Sequence, residues 1–253
     1  MTDTKLSVNL NKIALIRNSR EANYPDLITF ARMALDAGAH GVTVHPRSDG
    51  RHVRPGDLFE IREMLKDYPD KEFNIEGSPD AAVYEAKTFG FAGFLDLVKE
   101  ICPHQCTLVP DSPDQLTSDH GWDFGLEAGY LKGIVEGLQD KGIRVSLFVD
   151  AGAPGNSRMK ETGTDRVEIY TGPYAEYYHT DKKTTELNKI RQTLEQALAA
   201  GIEINAGHDL NLQNLPELMA LGKISEVSIG HALTVDALTH GFKETIKKYL
   251  KTL

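Results

Sequence analysis

A chain of 253 residues, 40% hydrophobic and 26% charged, is long enough to bury a substantial core within one domain. Its formal net charge of −9 argues against a general nucleic-acid binder or a coat for anionic membranes. No apolar run approaches the ~18 residues of a bilayer span, and the first residues lack a signal-peptide core. The expectation is a single cytoplasmic domain over 1–253.

Apolar runs of strand length recur at 6–10, 41–44, 72–75, 105–109, 144–149, 166–170, 203–206 and 226–229. Helical periodicity is read at 26–37, 56–66, 123–140, 177–200 and 235–250. Ser78-Pro79-Asp80 reads as a helix N-cap with proline at the first helical position. The stretch 78–103 exceeds one helix and predicts an extra or broken one around 90–93. Glycine follows helices at Gly38, Gly142 and Gly201, as a left-handed cap requires. Strands separated by helical segments pair in parallel. The predicted fold is α/β, a (β/α)8 TIM barrel with extra helical segments. Cys102 and Cys106 are too few for a disulfide framework and lack a second ligand pair, so both read as buried thiols.

The strands end on chemistry. Val42-Thr43-Val44 stops at His45, Phe73-Asn74-Ile75 at Glu76, Asn205-Ala206-Gly207 at His208 and Ile229-Gly230 at His231. A barrel gathers such ends around one mouth, where active sites of this architecture lie. Glu168 stands between Val167 and Ile169 inside an apolar strand. Alternation turns it toward the barrel interior, where a carboxylate must be paired, hydrogen-bonded or protonated. The turns Gly207-His208-Asp209 and Gly230-His231-Ala232 open helices after the last two strands, a common phosphate site. Arg17, Arg20, Arg47, Arg51 and His52 read as basic loops after the first two strands, suited to a second phosphate. Asn9 and Asn11 alternate on the first strand and should share its inward face, with Lys12 adding fixed positive charge.

Taken together, Val8-Asn9-Leu10-Asn11-Lys12-Ile13-Ala14, Arg17-Asn18-Ser19-Arg20, Val42-Thr43-Val44-His45-Pro46-Arg47, Arg51-His52, Asn74-Ile75-Glu76, Leu108-Val109-Pro110, Val145-Ser146-Leu147-Phe148, Glu168-Ile169-Tyr170-Thr171-Gly172, Asn205-Ala206-Gly207-His208 and Ile229-Gly230-His231-Ala232 resemble the pyridoxine 5′-phosphate synthase family. The resemblance runs nearly end to end. It implies condensation of 3-amino-2-oxopropyl phosphate with 1-deoxy-D-xylulose 5-phosphate to pyridoxine 5′-phosphate, inorganic phosphate and water, with no metal or organic cofactor. It implies His45 and Glu76 as proton acceptors, His208 as proton donor and Glu168 as a transition-state stabiliser. Asn9, Arg20, Gly230 and His231 would hold the amino ketone phosphate, and Arg47, His52 and Thr117 the sugar phosphate, with Thr117 on a mobile loop. The family assembles as a homo-octamer, and its partners are small phosphorylated substrates. Two positions depart from it. Asn11-Lys12 stand where the family often has Asp-His, so Lys12 can contact an anion but cannot act as a near-neutral imidazole. Asp209 stands where glycine is common; its N–H can still donate to phosphate if its carboxylate points away.

Two other readings fit parts of the pattern. A metal-dependent barrel hydrolase would use His45, Glu76, Asp150, His208 and His231, but the first strand lacks the histidine pair that such sites commonly carry. A phosphometabolite-binding barrel without catalysis would explain Asn11-Lys12 and Asp209.

Overall fold

The computed structural model describes every residue except 1–3, 82–83, 86–89, 92, 113–114 and 116. In chain order the elements begin with β1 (Lys5–Asn9), α1 (Asn11–Asn18), α2 (Leu27–Asp36), β2 (Gly41–Val44), α3 (Pro55–Met64) and β3 (Glu72–Gly77). There follow β4 (Tyr84–Glu85), β5 (Gly90–Phe91), α4 (Phe94–Ile101), β6 (Gln105–Leu108), α5 (Phe124–Gln139) and β7 (Arg144–Asp150). The chain ends with β8 (Arg166–Tyr170), α6 (Gly172–Glu176), α7 (Lys183–Ala200), β9 (Glu203–Gly207), α8 (Leu215–Met219), β10 (Glu226–Ile229), α9 (His231–His240) and α10 (Phe242–Leu250).

Eight of these strands close a parallel barrel in the order β1-β10-β9-β8-β7-β6-β3-β2. Val8 closes the ring by pairing with Ile229 on one side and Val42 on the other. Outward residues such as Val145, Leu147, Val167 and Ile169 are fully buried under the helices, as a sheet covered by helices demands.

The barrel interior is polar. The hydroxyls of Ser7 and Thr43 meet at 2.6 Å, and Thr107 Oγ1 donates to Asn74 Oδ1 at 3.1 Å. At the N-terminal end, Arg166 donates to Glu203 and Gln105, while Gln105 Nε2 donates to the buried Glu226. Glu72 lies between Lys5 and Arg144; burial opposes its charge, but these two cations outweigh it and hold the carboxyl at about 2. Most of these interior groups find a partner on an adjacent or facing strand, with Ser146 Oγ an exception among the described residues, and that pairing makes such a core tolerable.

Each predicted strand is present within a residue or two of the expected bounds, and Gly38, Gly142 and Gly201 follow helices with φ of 108°, 77° and 76°. The helices depart more. Asn11–Asn18, read as strand end and loop, is helical; the chain turns into α1 straight from β1, so Asn11 opens a helix instead of sharing the strand with Asn9. The helix expected from Ser78 does not form there. Ala81 N–H closes a turn on Ser78 O, β4 and β5 pair antiparallel, and the helix starts at Phe94. Part of the expected break around 90–93 lies outside the described residues. The pattern at 177–200 becomes helical only at Lys183, because a turn closed by Thr180 on Tyr177 O separates α7 from α6. The pattern at 235–250 is two helices, split by Gly241 with φ of 80°. Cys106 is buried, but Cys102 is exposed, at the left-handed end of α4.

Candidate active site

A cavity of about 550 Å³ opens at the C-terminal ends of the strands. Asn9, His45, Glu76, Glu168, His208 and Gly230 all line it, although they come from six different strand ends.

Two carboxyls form its floor. Glu76, at the end of β3, is buried and accepts from Asn9 Nδ2 at 3.3 Å. Burial, then the charges of Asp111 and Glu226, push its carboxyl up to about 8. Glu168 is 1% exposed, and its Oε2 has no hydrogen-bond partner among the described residues. Burial, then Glu76 and Glu226, push its carboxyl well above the carboxylate range, which favours its protonated form. Its Oε1 lies 3.9 Å from His208 Nδ1 and against the bare Cα of Gly207, where a Cβ would sit 2.2 Å away. Glycine at 207 is therefore what lets the carboxyl stand beside the histidine.

The imidazoles are tuned the opposite way. His208 packs against the rings of Phe148 at 4.7 Å and Tyr170 at 5.4 Å, and burial lowers it to about 4. His45 is also pushed well below the ordinary imidazole value, by burial first and then by His52 and Arg47. Both are neutral at pH 7. His208 and Asp209 have φ of 83° and 56°, two successive side chains in the left-handed region. Such strain costs of order 1–3 kcal/mol per residue and persists only where neighbours fix it. Thr171 Oγ1 lies 2.5 Å from Gly207 O and 2.6 Å from His208 O, and Asn214 Nδ2 donates to Asp209 O at 3.1 Å.

Donors surround this acid–base centre. The N-terminus of α9 presents Gly230, His231 and Ala232 to the cavity, and that of α1 presents Asn11 and Lys12. Open helix N-termini favour anions. Asn11 also accepts from His45 N–H at 2.8 Å, fixing the turn after β2. Opposite lie Arg47, Arg51, His52, Thr117 and Ser118. Arg47 is buried, paired with Asp111 at 2.9 Å, and donates to the carbonyls of Ser112 and Gln115. Among the described residues, no three His, Cys, Asp or Glu side chains could hold a metal ion together, so the hydrolase reading finds no ligand set there. No helix among them is long and apolar enough to cross a membrane.

A family model described as pyridoxal phosphate biosynthesis protein PdxJ matches residues 6–253. The chain belongs to this family. Pyridoxine 5′-phosphate synthase of Mesorhizobium japonicum is 49% identical over 251 residues, covering 98% of this chain and 97% of that protein. The Brucella abortus protein of the same name is 49% identical over 253 residues, covering 98% of each chain. Among solved structures, a tryptophan synthase complex chain from Pyrococcus furiosus has a TM-score of 0.64 at 13% identity, covering 100% of this chain and 98% of that one. The 3-keto-L-gulonate-6-phosphate decarboxylase of Vibrio cholerae has a TM-score of 0.63 at 10% identity, covering 100% of this chain and 97% of that one. At such identities the likeness is one of fold.

In this PdxJ-family barrel the cavity gathers His45, Glu76, Glu168, His208, Asn9, Asn11, Lys12, Arg47, His52, Thr117, Asp209, Gly230 and His231. Arg20 stands apart: it is exposed past the end of α1, with its guanidinium on Ser19 O. Arg17, read as part of a phosphate-binding loop, is instead 1% exposed in α1 and bound through two contacts to Asp57, at 2.6 and 2.9 Å. Sequence reasoning missed Asp111, Ser118, Phe148, Tyr170 and Thr171, ordinary residues whose positions matter only once the barrel closes.

Proposed function

We propose that this cavity makes pyridoxine 5′-phosphate, inorganic phosphate and water from 3-amino-2-oxopropyl phosphate and 1-deoxy-D-xylulose 5-phosphate. The observation that carries the reading is a cavity of about 550 Å³ with two buried carboxyls and two neutral imidazoles at its centre and anion donors on both flanks. An amine must add to a ketone, water and phosphate must leave, and a carbon–carbon bond must close the ring. Each step moves a proton, so several acid–base groups must share one space. Both substrate phosphates supply binding energy for orientation, one of them until its own C–O bond breaks and it leaves.

In this reading His45 and Glu76 accept protons, His208 donates one, and Glu168 stabilises a transition state. A neutral His45 is ready to accept. Glu168, pushed by burial toward its protonated form and without a partner for Oε2 among the described residues, can then donate a hydrogen bond to a developing oxyanion. Asn9, Gly230, His231 and the Asp209 N–H hold the amino ketone phosphate, and Arg20, which stands outside the cavity, has to swing in from past α1 to join them. Asn11, Lys12, Arg47, His52 and Thr117 hold the sugar phosphate. The chemistry needs no metal or organic cofactor. The protein works in the cytoplasm as a homo-octamer; exposed Leu15 and Ile16 on α1 and Val235 and Leu238 on the adjoining α9 offer apolar surface for such an assembly.

Purified protein incubated with both substrates should develop the pyridinol chromophore, and neither substrate alone should produce it. Binding of both without product would support the non-catalytic reading instead.

A further inference from the structure

We propose that Asn18 is a positioning residue for the sugar-phosphate subsite, fixing the loop that presents Arg51 and His52 to the cavity. This rests on the functional reading above.

Asn18 is the last residue of α1 and does not line the cavity. Its amide Nδ2 faces three successive carbonyls, those of Gly50 at 3.3 Å, Arg51 at 3.2 Å and His52 at 2.6 Å, and shares its two N–H donors among them. Its Oδ1 accepts from Arg54 Nη2 at 2.8 Å and Arg17 Nε at 3.1 Å. One side chain thus grips the loop from both ends. Arg17 is locked in turn by Asp57 and adds its own bond to His52 O at 3.1 Å. Asp57 caps α3 by accepting from Arg54 N–H at 2.7 Å. The loop therefore hangs between α1 and α3 on a buried polar frame.

The outer face of the same loop carries the cavity groups. His52 has its ring centroid 5.9 Å from that of His45, and Arg51 Nη1 donates to Gln115 O at 3.0 Å. A helix amide that holds three carbonyls of a ligand loop does little for a distant subsite. It acts on the angle at which His52 and Arg51 meet a phosphate, and a misplacement of about 1 Å can cost a hundredfold.

The test is steady-state kinetics of the full-length enzyme with each substrate varied in turn, for wild type and Asn18→Asp. Asp keeps the shape of Asn but replaces the donor with an acceptor facing three carbonyls. The expected result is a rise of about tenfold or more in KM for 1-deoxy-D-xylulose 5-phosphate, with KM for the amino ketone phosphate and kcat each within about threefold. Asn18→Ser, small and still a donor, should show the same split, and it serves if the Asp variant does not fold. An unchanged sugar-phosphate KM in a folded variant overturns the positioning role. So does an equal change in both KM values and in kcat, which would mark general loosening. A wild-type enzyme that forms no product from the two substrates overturns the functional reading itself.

Discussion

Replacing Glu76 by Gln should remove turnover and at the same time stabilise the protein, increasingly so as pH rises. The folded-state carboxyl is lifted from its ordinary 4.5 to about 8, by burial first and then by Asp111 and Glu226. Below about pH 4.5 the group is protonated in both folded and unfolded chains, and its contribution to stability is whole. Between that pH and about 8 the unfolded chain releases a proton that the folded chain keeps. Stability then falls by about 1.4 kcal/mol per pH unit, and above the folded value the loss is constant. At pH 7 the deficit is about 3 kcal/mol, or roughly 6–12 °C in Tm for a chain of this size. A glutamine amide carries no such titration and can still accept from Asn9. Denaturant melts of wild type and Glu76→Gln at pH 5 and pH 8 should show a stability gap that widens by up to about 4 kcal/mol. Product formation by the variant should drop by about a hundredfold or more. A gap of equal size at both pH values, or a less stable Gln variant at pH 8, would refute the reasoning.

Other outcomes follow from the same geometry. Because burial pushes Glu168 toward its neutral form, Glu168→Gln should keep turnover within about tenfold of wild type, whereas Glu168→Leu should lose about a hundredfold or more; equal losses would mean that it acts through charge. Gly207→Ala places a Cβ 2.2 Å from Glu168 Oε1, so activity should fall as in Glu168→Leu, with about 1–3 kcal/mol of stability lost to overpacking in a urea titration. Near-normal activity in Gly207→Ala would show that the carboxyl need not stand where it does. As a base Glu76 works deprotonated, so kcat/KM should climb as pH approaches about 8. Asp111→Asn removes a like charge and should move that rising limb to lower pH; an unmoved limb would separate Asp111 from the base.

Much of the barrel was legible because a short apolar run repeats eight times, and several of those runs stop at an ionisable or amide residue. Closing the ring brings those ends together, so His45, Glu76, Glu168 and His208 could be placed in one mouth from sequence alone. Alternation also turned Glu168 inward correctly, since Val167 and Ile169 claim the helix-covered face. What stayed hidden depended on partners far along the chain. Arg17 looks like any loop arginine until Asp57, 40 residues on, takes its guanidinium. α1 has no side-chain cap at Leu10 to announce it, and it follows β1 without a turn. Asp111 carries no motif, and Thr171 stands in one that gave it no role; each matters because a neighbouring strand end delivers Arg47 or His208 to it.

The site's acid–base groups are shifted toward the reverse of their proton order in water. Its two carboxyls are pushed up, while His45 and His208 are pushed down. A single cause produces both shifts: burial disfavours charge of either sign, raising acids and lowering bases. On the proposed reading, such a site is charged by its substrates. Two arriving phosphates bring negative potential that raises every nearby pKa, which favours protonation of His208 and makes it able to donate. Glu76 is drawn the other way by a nearby cation, and the amino group of the amino ketone phosphate supplies one. Binding of both substrates would therefore convert a store of neutral groups into a working acid and a working base. The polar barrel interior, with Glu226 beneath Glu76 and Glu168, keeps that store from discharging before the substrates arrive.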